Sequence, residues 1–432
     1  MIILYNIFLC FLFIIFIFFL PFILLFSKKR RANILQRLGI INIFLKKKSE
    51  KKRIWIHALS FGEVKSAYPL IKALEKNKKD FELIFTASTK TGFDKACNLF
   101  LKKKNSMVNQ VGYFPFDFLF SLRQICSRIE PDIVLIIETD LWPNFLLYMR
   151  KRKIPVFLVN ARLSHKSFKK YLWFKNFIGF IFSLFSIVMV QTNKDKIKFK
   201  KLGINANKIK VLGNIKFDQS TPEISENHIQ LIKKQFKKKT KIFIAGSTHK
   251  GEEEILVNCF LKLKNQFNDF SMIIAPRDIK RANQIKKIFF KKKVNSVLIT
   301  DIEKKSQKKS CYVVIIDIMG ILAGLYKVCD IAFIGGSLVK SGGHNPLEPA
   351  FFSKPIFFGP YMTDFSLISE MLIKNKGGFM VLDKYELIKK TKDILADKVK
   401  ANHMGSKAEE IFLSNKGAVK KTVKQIYKWL SD

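Results

Sequence analysis

Two carboxylates close one of the most apolar stretches of the chain, Ile136-Ile137-Glu138-Thr139-Asp140-Leu141-Trp142-Pro143-Asn144. Removing a carboxylate from water costs on the order of several kcal/mol unless it finds a partner. A pair ending a buried strand therefore points to a chemical task. A third acid, Glu63, ends His57-Ala58-Leu59-Ser60-Phe61-Gly62-Glu63. The spacing Ser60-x-x-Glu63 fits a helix capping box. An acid held at a helix start also fits a general base, and the motif alone serves both readings. Gly213-Asn214-Ile215-Lys216-Phe217-Asp218 adds an ammonium group. In the second half, Ala245-Gly246-Ser247-Thr248-His249-Lys250-Gly251-Glu252 reads as a strand-to-helix turn whose backbone N–H groups suit an anion. Ala275-Pro276-Arg277 brings an arginine that suits a phosphate, with an ordinary surface arginine as the other reading. The richest segment runs from Gly335 to Pro349, GGSLVKSGGHNPLEP, with four glycines that let the backbone approach a phosphate and an acid at a helix start suited to a ribose. It is neither a Walker loop nor a G-x-G-x-x-G fingerprint.

The elements that must position these groups are short β-rich runs alternating with helices. The expected strands are Ile54–Ala58, Leu83–Ala87, Ile133–Ile137, Val156–Asn160, Ile187–Val190 and Ile209–Leu212. After a polar stretch come Ile242–Ala245, Met272–Ala275, Val297–Thr300, Val313–Ile316, Ile331–Ile334 and Ile356–Phe358. Such apolar runs suit parallel strands covered on both faces by helices. Six strands and six predict an α/β protein of two Rossmann-like halves, with a ligand cleft between them near the carboxyl ends of the strands. The hinge is expected in Phe217–Lys239, which holds a Ser-Thr-Pro turn signal and a basic helix.

Length and composition bound the rest. The chain has 432 residues, enough for two to three domains, and 48% of it is hydrophobic, which excludes global disorder. Lys and Arg number 78 against 34 Asp and Glu, a formal net charge of +44. That excess fits a polyanionic neighbour, and it equally fits the Lys-, Ile-, Phe- and Asn-rich usage that AT-rich codons favour. Lysine runs are dispersed and form no basic-aromatic stripe, which speaks against a nucleic-acid binder. The six cysteines show no C-x-x-C and the six histidines no H-x-x-x-H, so reduced thiols are expected and no metal ligand is proposed. Residues 1–27 are almost wholly apolar. At about 1.5 Å per residue they are long enough for the roughly 30 Å core of a bilayer. Lys28-Lys29-Arg30-Arg31 follows directly, so the reading is an uncleaved anchor with the body on the cytoplasmic side. The stretch Asn33–Leu45 between the basic clusters fits a membrane-interface segment or a packed linker helix.

Taken in order, IWIHALSFGEV, TASTKTG, YFPFD, ETDLWPN, VNARLS, VLGNIKFD, AGSTHKGEEE, APRDIKRA, DIMGIL, IGGSLVKSGGHNPLEP and FGP resemble the 3-deoxy-D-manno-octulosonic acid (Kdo) transferases of lipopolysaccharide synthesis. The resemblance implies a GT-B glycosyltransferase fold and a metal-independent, inverting transfer of Kdo from CMP-Kdo to lipid IVA, the lipid A precursor. No cofactor is implied. The implied partners are the donor, the acceptor and anionic lipids of the inner membrane, with no nucleic acid. It makes Glu63 the base that takes the acceptor proton, and Glu138 and Lys216 stabilisers of the transition state. CMP would be held by Pro276 and Arg277, by Met319, Gly320 and Ile321, and by Asn345, Pro346, Leu347 and Glu348. The expected layout is an anchor at 1–27, a basic juxtamembrane segment at 28–53 and an acceptor domain at 54–217. A linker at 218–240, a CMP-Kdo domain at 241–406 and a C-terminal helix at 407–432 complete it. The alternative is a GT-B glycosyltransferase or epimerase that uses a UDP-sugar.

Overall fold

The computed structural model describes residues 2–26, 28–41, 43–47, 50–76, 81–102, 106–218, 224–237, 239–304 and 312–431. Part of the expected hinge, residues 219–223, and the side chains of the Lys28–Arg31 cluster lie outside the described residues. The chain forms two compact units, one of residues 1–219 with 416–432 and one of residues 220–415.

The first unit holds β1 (Lys52–Ala58), β2 (Phe81–Ala87), β3 (Val108–Tyr113), β4 (Ile133–Ile137), β5 (Val156–Ala161), β6 (Ile187–Val190) and β7 (Ile209–Val211). They make one parallel sheet in the order β3-β2-β1-β4-β5-β6-β7. Successive side chains point to opposite faces, so Ile54, Ile56, Leu135 and Ile137 enter one core while Trp55, Val134 and Ile136 enter the other. Both faces are buried, which is why β4 reads Ile-Val-Leu-Ile-Ile with no polar interruption.

The second unit holds β8 (Lys241–Thr248), β9 (Phe270–Pro276), β10 (Ser296–Leu298), β11 (Val313–Ile315), β12 (Ile331–Ile334), β13 (Ile356–Phe358) and β14 (Gly378–Met380). Its parallel order is β10-β11-β9-β8-β12-β13-β14. Among the described residues each sheet thus has seven strands where six were expected. The expected strand Val297–Thr300 is shorter, because the Asp317 carboxylate accepts from Thr300 N at 3.2 Å and from its hydroxyl at 2.5 Å, and Ile299 starts a helix.

The segment expected at 407–432 does end in a helix, but that helix starts later, at Ala418. Lys398–Ser414 and Ala418–Ser431 are separate helices, and only the second joins the first unit. It buries Ala418, Val419, Val423 and Ile426 in the core beside β1. Its start is fixed by the Asp218 carboxylate, which accepts from Gly417 N and Val419 N, each at 2.6 Å.

At the other end, Ile2–Phe26 is one helix of 25 residues. Among the described residues no helix is long and apolar enough to cross a membrane, so the expected transmembrane anchor is not supported here; Met1, Ser27 and the side chains of 16, 17 and 19–32 lie outside the described residues. The helix's polar groups face the first unit instead. Tyr5 donates to Asp117 at 2.7 Å, and Asn144 Nδ2 donates to Asn6 Oδ1 at 2.6 Å. Ile3, Leu4, Ile7, Phe8, Phe11 and Ile14 remain exposed. In the segment Asn33–Leu45, Leu38 and Phe44 pack inward while Ile40, Ile41 and Leu45 are exposed. Arg37 Nε donates to Phe114 O at 3.0 Å, and its guanidinium covers the Phe116 ring.

Candidate active site

In the first sheet the chain runs outward from β1 through β2 and β3, then returns to β4 on the other side of β1 and continues through β7. Ligands of open α/β sheets bind where the strand order reverses in this way. The residues following β1 and β4 are the acids singled out in the sequence. Glu63 lies in the first turn of the Phe61–Lys76 helix, and its Oε2 accepts from Leu59 N at 2.5 Å and Ser60 N at 3.3 Å. It does close the helix start, and this fixes the side chain. Burial, then the nearby charges of Glu138 and Asp140, push its carboxyl up to about 8, against the opposing pull of those two N–H groups.

Glu138 follows β4 with φ +63°, a left-handed conformation that is strained for a residue with a side chain. Its N–H donates to Val159 O at 2.8 Å. Its Oε1 lies 3.1 Å from Lys216 Nζ, and among the described residues this buried oxygen accepts no well-aligned hydrogen bond. Lys216 sits on the turn Ile215–Asp218, which is held by Asn160 Oδ1 accepting from Ile215 N at 3.1 Å. Asn160 is itself left-handed at the end of β5, φ +61°.

Two further groups belong here that the expected site omits. Asp140 accepts from Trp142 Nε1 at 2.8 Å and stands 3.3 Å from His57 Nε2. His57 is fully buried at the end of β1, with Nδ1 3.1 Å from both oxygens of Thr86 and its ring stacked on Phe114. The signal was present in the sequence, since His57 begins the very motif that carries Glu63. Only the pairing of β1 with β4 brings it against Asp140.

The second sheet reverses between β8 and β12. Pro276 ends β9, and Arg277 N donates to Thr248 O at 2.9 Å, which ties it to the end of β8. Met319, largely exposed, and Gly320, φ +100°, lie on the turn after β11, and Ile321 leads into the Leu322–Leu325 helix. Asn345 is nearly buried. Its Oδ1 accepts from Leu347 N at 3.1 Å, and its Nδ2 donates to Glu348 Oε1 at 3.3 Å. Pro346 precedes the short helix Leu347–Ala350, in which Leu347 is buried and Glu348 lies in the first turn. All nine residues expected to hold CMP therefore lie in the second unit.

One expectation is corrected. Four N–H groups of the turns after β8 and β12, read as a cradle for an anion, are taken by the chain's own carboxylate. Glu252, fully buried, accepts from His249 N at 2.9 Å, Gly336 N at 2.7 Å, and Ser337 N and Leu338 N at 3.0 Å each.

Two parallel-sheet α/β units, each with its strand order reversing once, resemble the GT-B fold. Residues 32–219 match the family described as 3-Deoxy-D-manno-octulosonic-acid transferase (kdotransferase). The 3-deoxy-D-manno-octulosonic acid transferase of Haemophilus influenzae is 31% identical over 369 residues, covering 85% of this chain and 85% of the relative. That of Aquifex aeolicus is 30% identical over 351 residues, 81% of this chain and 88% of the relative. The chain belongs to the Kdo transferase family. A solved UDP-GlcNAc 2-epimerase from Neisseria meningitidis shares the fold, with TM-score 0.57 and 16% identity over 87% of this chain and all (100%) of that one.

Proposed function

We propose that this protein transfers Kdo from CMP-Kdo to lipid IVA with inversion at the anomeric carbon, releasing CMP, in lipopolysaccharide synthesis. The observation that carries the reading is Glu63. It is an acid fixed at a helix start, with a carboxyl raised to about 8, beside two further carboxylates in a chain of this family. A base works best when its pKa lies near the working pH. In the reaction Glu63 takes the proton of the acceptor hydroxyl, and that oxygen attacks the anomeric carbon on the face opposite the phosphate. The bond from the anomeric carbon to the phosphate oxygen breaks, and CMP leaves with the electron pair. Positive charge gathers on the sugar ring and negative charge on the leaving phosphate. The Glu138 carboxylate and the Lys216 ammonium carry the charges that oppose these two, and they wait as an ion pair at 3.1 Å. Pro276, Arg277, Met319, Gly320, Ile321, Asn345, Pro346, Leu347 and Glu348 bind CMP in this reading. The Ile2–Phe26 helix, with its exposed apolar face, and the basic residues after it hold the protein to the cytoplasmic side of the inner membrane, where the anionic lipid acceptor lies.

The test is CMP release together with mass spectrometry of the lipid, using CMP-Kdo and lipid IVA, for wild type and Glu63→Gln. Kdo addition by wild type and a loss of about 10²–10⁴-fold in a folded variant are expected. A folded wild type that releases UDP from a UDP-sugar, and no CMP, overturns the donor assignment. Failure of wild type to sediment with membranes or with anionic lipid vesicles overturns the membrane attachment.

A further inference from the structure

Two histidines that the proposed mechanism does not use meet where the second sheet reverses. His249 follows β8 and His344 lies in the loop after β12, and their Nε2 atoms are 2.8 Å apart. The rings lie within 17° of parallel with centroids 5.1 Å apart. The surrounding backbone is built to hold them. Glu252 accepts from His249 N, and the same carboxylate fixes the turn at Gly336. Gly336 has φ +67°, a conformation that favours glycine, and a Cβ there would stand 3.2 Å from Cδ2 of each ring, close enough to crowd both.

At 2.8 Å one Nε2 carries the hydrogen and the other accepts it. The pair in contact therefore cannot present two Nε2–H groups. An acidic ligand brought to it takes over the accepting role; the ring that had accepted moves its hydrogen from Nδ1 to Nε2, giving one proton to solvent and taking one back, and each ring then donates an Nε2–H to the ligand. The neighbourhood is that of the nucleotide: Asn345 to Glu348 follow His344 directly, and Thr248, beside His249, holds Arg277 N. Four backbone N–H groups of these turns are already taken by Glu252. A metal is the competing occupant of a histidine pair. Among the described residues, however, no group of three His, Cys, Asp or Glu is gathered for one.

We propose that His249 and His344 form the subsite for the acidic group of the sugar-nucleotide donor, its phosphate or its carboxylate, parting to donate an Nε2–H from each ring. This rests on the CMP-Kdo reading above for the identity of the donor.

The experiment measures dissociation constants of the full-length protein for cytidine, CMP and CMP-Kdo by calorimetry. It compares wild type with His249→Phe, His344→Phe, His249→Asn and His344→Asn. Phe keeps the ring and removes the donor, whereas Asn stays polar but is too short to reach. The expected result is cytidine binding unchanged and the preference for the anionic ligand lowered at least tenfold, with partial recovery in His249→Gln and His344→Gln, whose amide reaches the Nε2 position. A loss in the CMP-to-cytidine ratio assigns the phosphate; a loss only in the CMP-Kdo-to-CMP ratio assigns the carboxylate. Both ratios held within twofold in the Asn variants overturn the proposal, even if the Phe variants misfold. If wild type binds uridine nucleotides and ignores cytidine ones, the donor reading fails, and the UMP-to-uridine ratio then tests the pair by the same criterion.

Discussion

Glu63 is a residue whose environment works against its charge, and two measurable consequences follow. Its carboxyl must lose a proton to serve as base, so single-turnover transfer should rise with pH through about 8. Asp140→Asn removes one of the negative charges that hold the proton on, and the limb should move to lower pH; an unmoved midpoint would remove Asp140 from the site's electrostatics. Folding carries the same signature with the opposite preference. The folded value lies above the ordinary 4.5, so this group's contribution to stability is fully present below about 4.5 and is lost as pH rises to about 8. Glu63→Gln should therefore melt at a temperature that falls less over this range than that of wild type, as followed by circular dichroism. Lys216 is a different case. Its partner Glu138 is held in a strained left-handed conformation, and such strain concentrates where geometry serves function. Lys216→Met takes the ammonium away from a buried carboxylate oxygen, so its fold is checked by circular dichroism, and the folded variant should lose about 10²–10³-fold in turnover with little change in donor affinity.

At the scale of elements, the second unit depends on one buried carboxylate. Glu252 receives four backbone N–H groups from the turns after β8 and β12, so it ties together the two strands that flank the reversal point. Glu252→Ala strands those donors at a cost of about 3–5 kcal/mol, and thermal denaturation should show a drop on the order of 10 °C. A melting temperature within a degree or two of wild type would mean that water replaces the carboxylate at no cost. The sequence marked this turn as a place for an anion, and that chemistry is right. The anion is the protein's own, a fact that no spacing reveals, because the bonds reach across 84 to 86 residues. The two strands that the sequence pattern misses are β3 and β14, each at the edge of its sheet. β3 reads Val-Asn-Gln-Val-Gly-Tyr, with Asn109 exposed, and β14 has only three residues. An edge strand has one neighbour and less cover, so its sequence need not be uniformly apolar.

At the scale of the whole molecule, the chain leaves the first unit near residue 219 and returns to it at residue 416. The Ala418–Ser431 helix completes the core beside β1, so its removal should weaken the first unit and spare the second. Tryptophan fluorescence separates the two, because Trp55, Trp142, Trp173 and Trp429 all belong to the first unit. A chain ending at residue 415 should show an earlier fluorescence transition on heating or in urea, while CMP binding by the second unit persists. Simultaneous loss of both would show that the units unfold as one.

The sequence by itself determined the fold class, twelve of the fourteen strands and the family, because buried parallel strands leave unbroken apolar runs and the motifs that end them keep their order along the chain. It also marked the three residues assigned to catalysis and the nine assigned to CMP. Only the tertiary structure decided what these residues meet: Lys216 against Glu138, His57 against Asp140, Glu252 inside the cradle read as a ligand's, and His249 against His344. The physical reason is common to all four. Strand order, rather than spacing along the chain, decides which strand ends become neighbours, and parallel sheets bring together residues from distant segments through crossovers whose register no local pattern encodes.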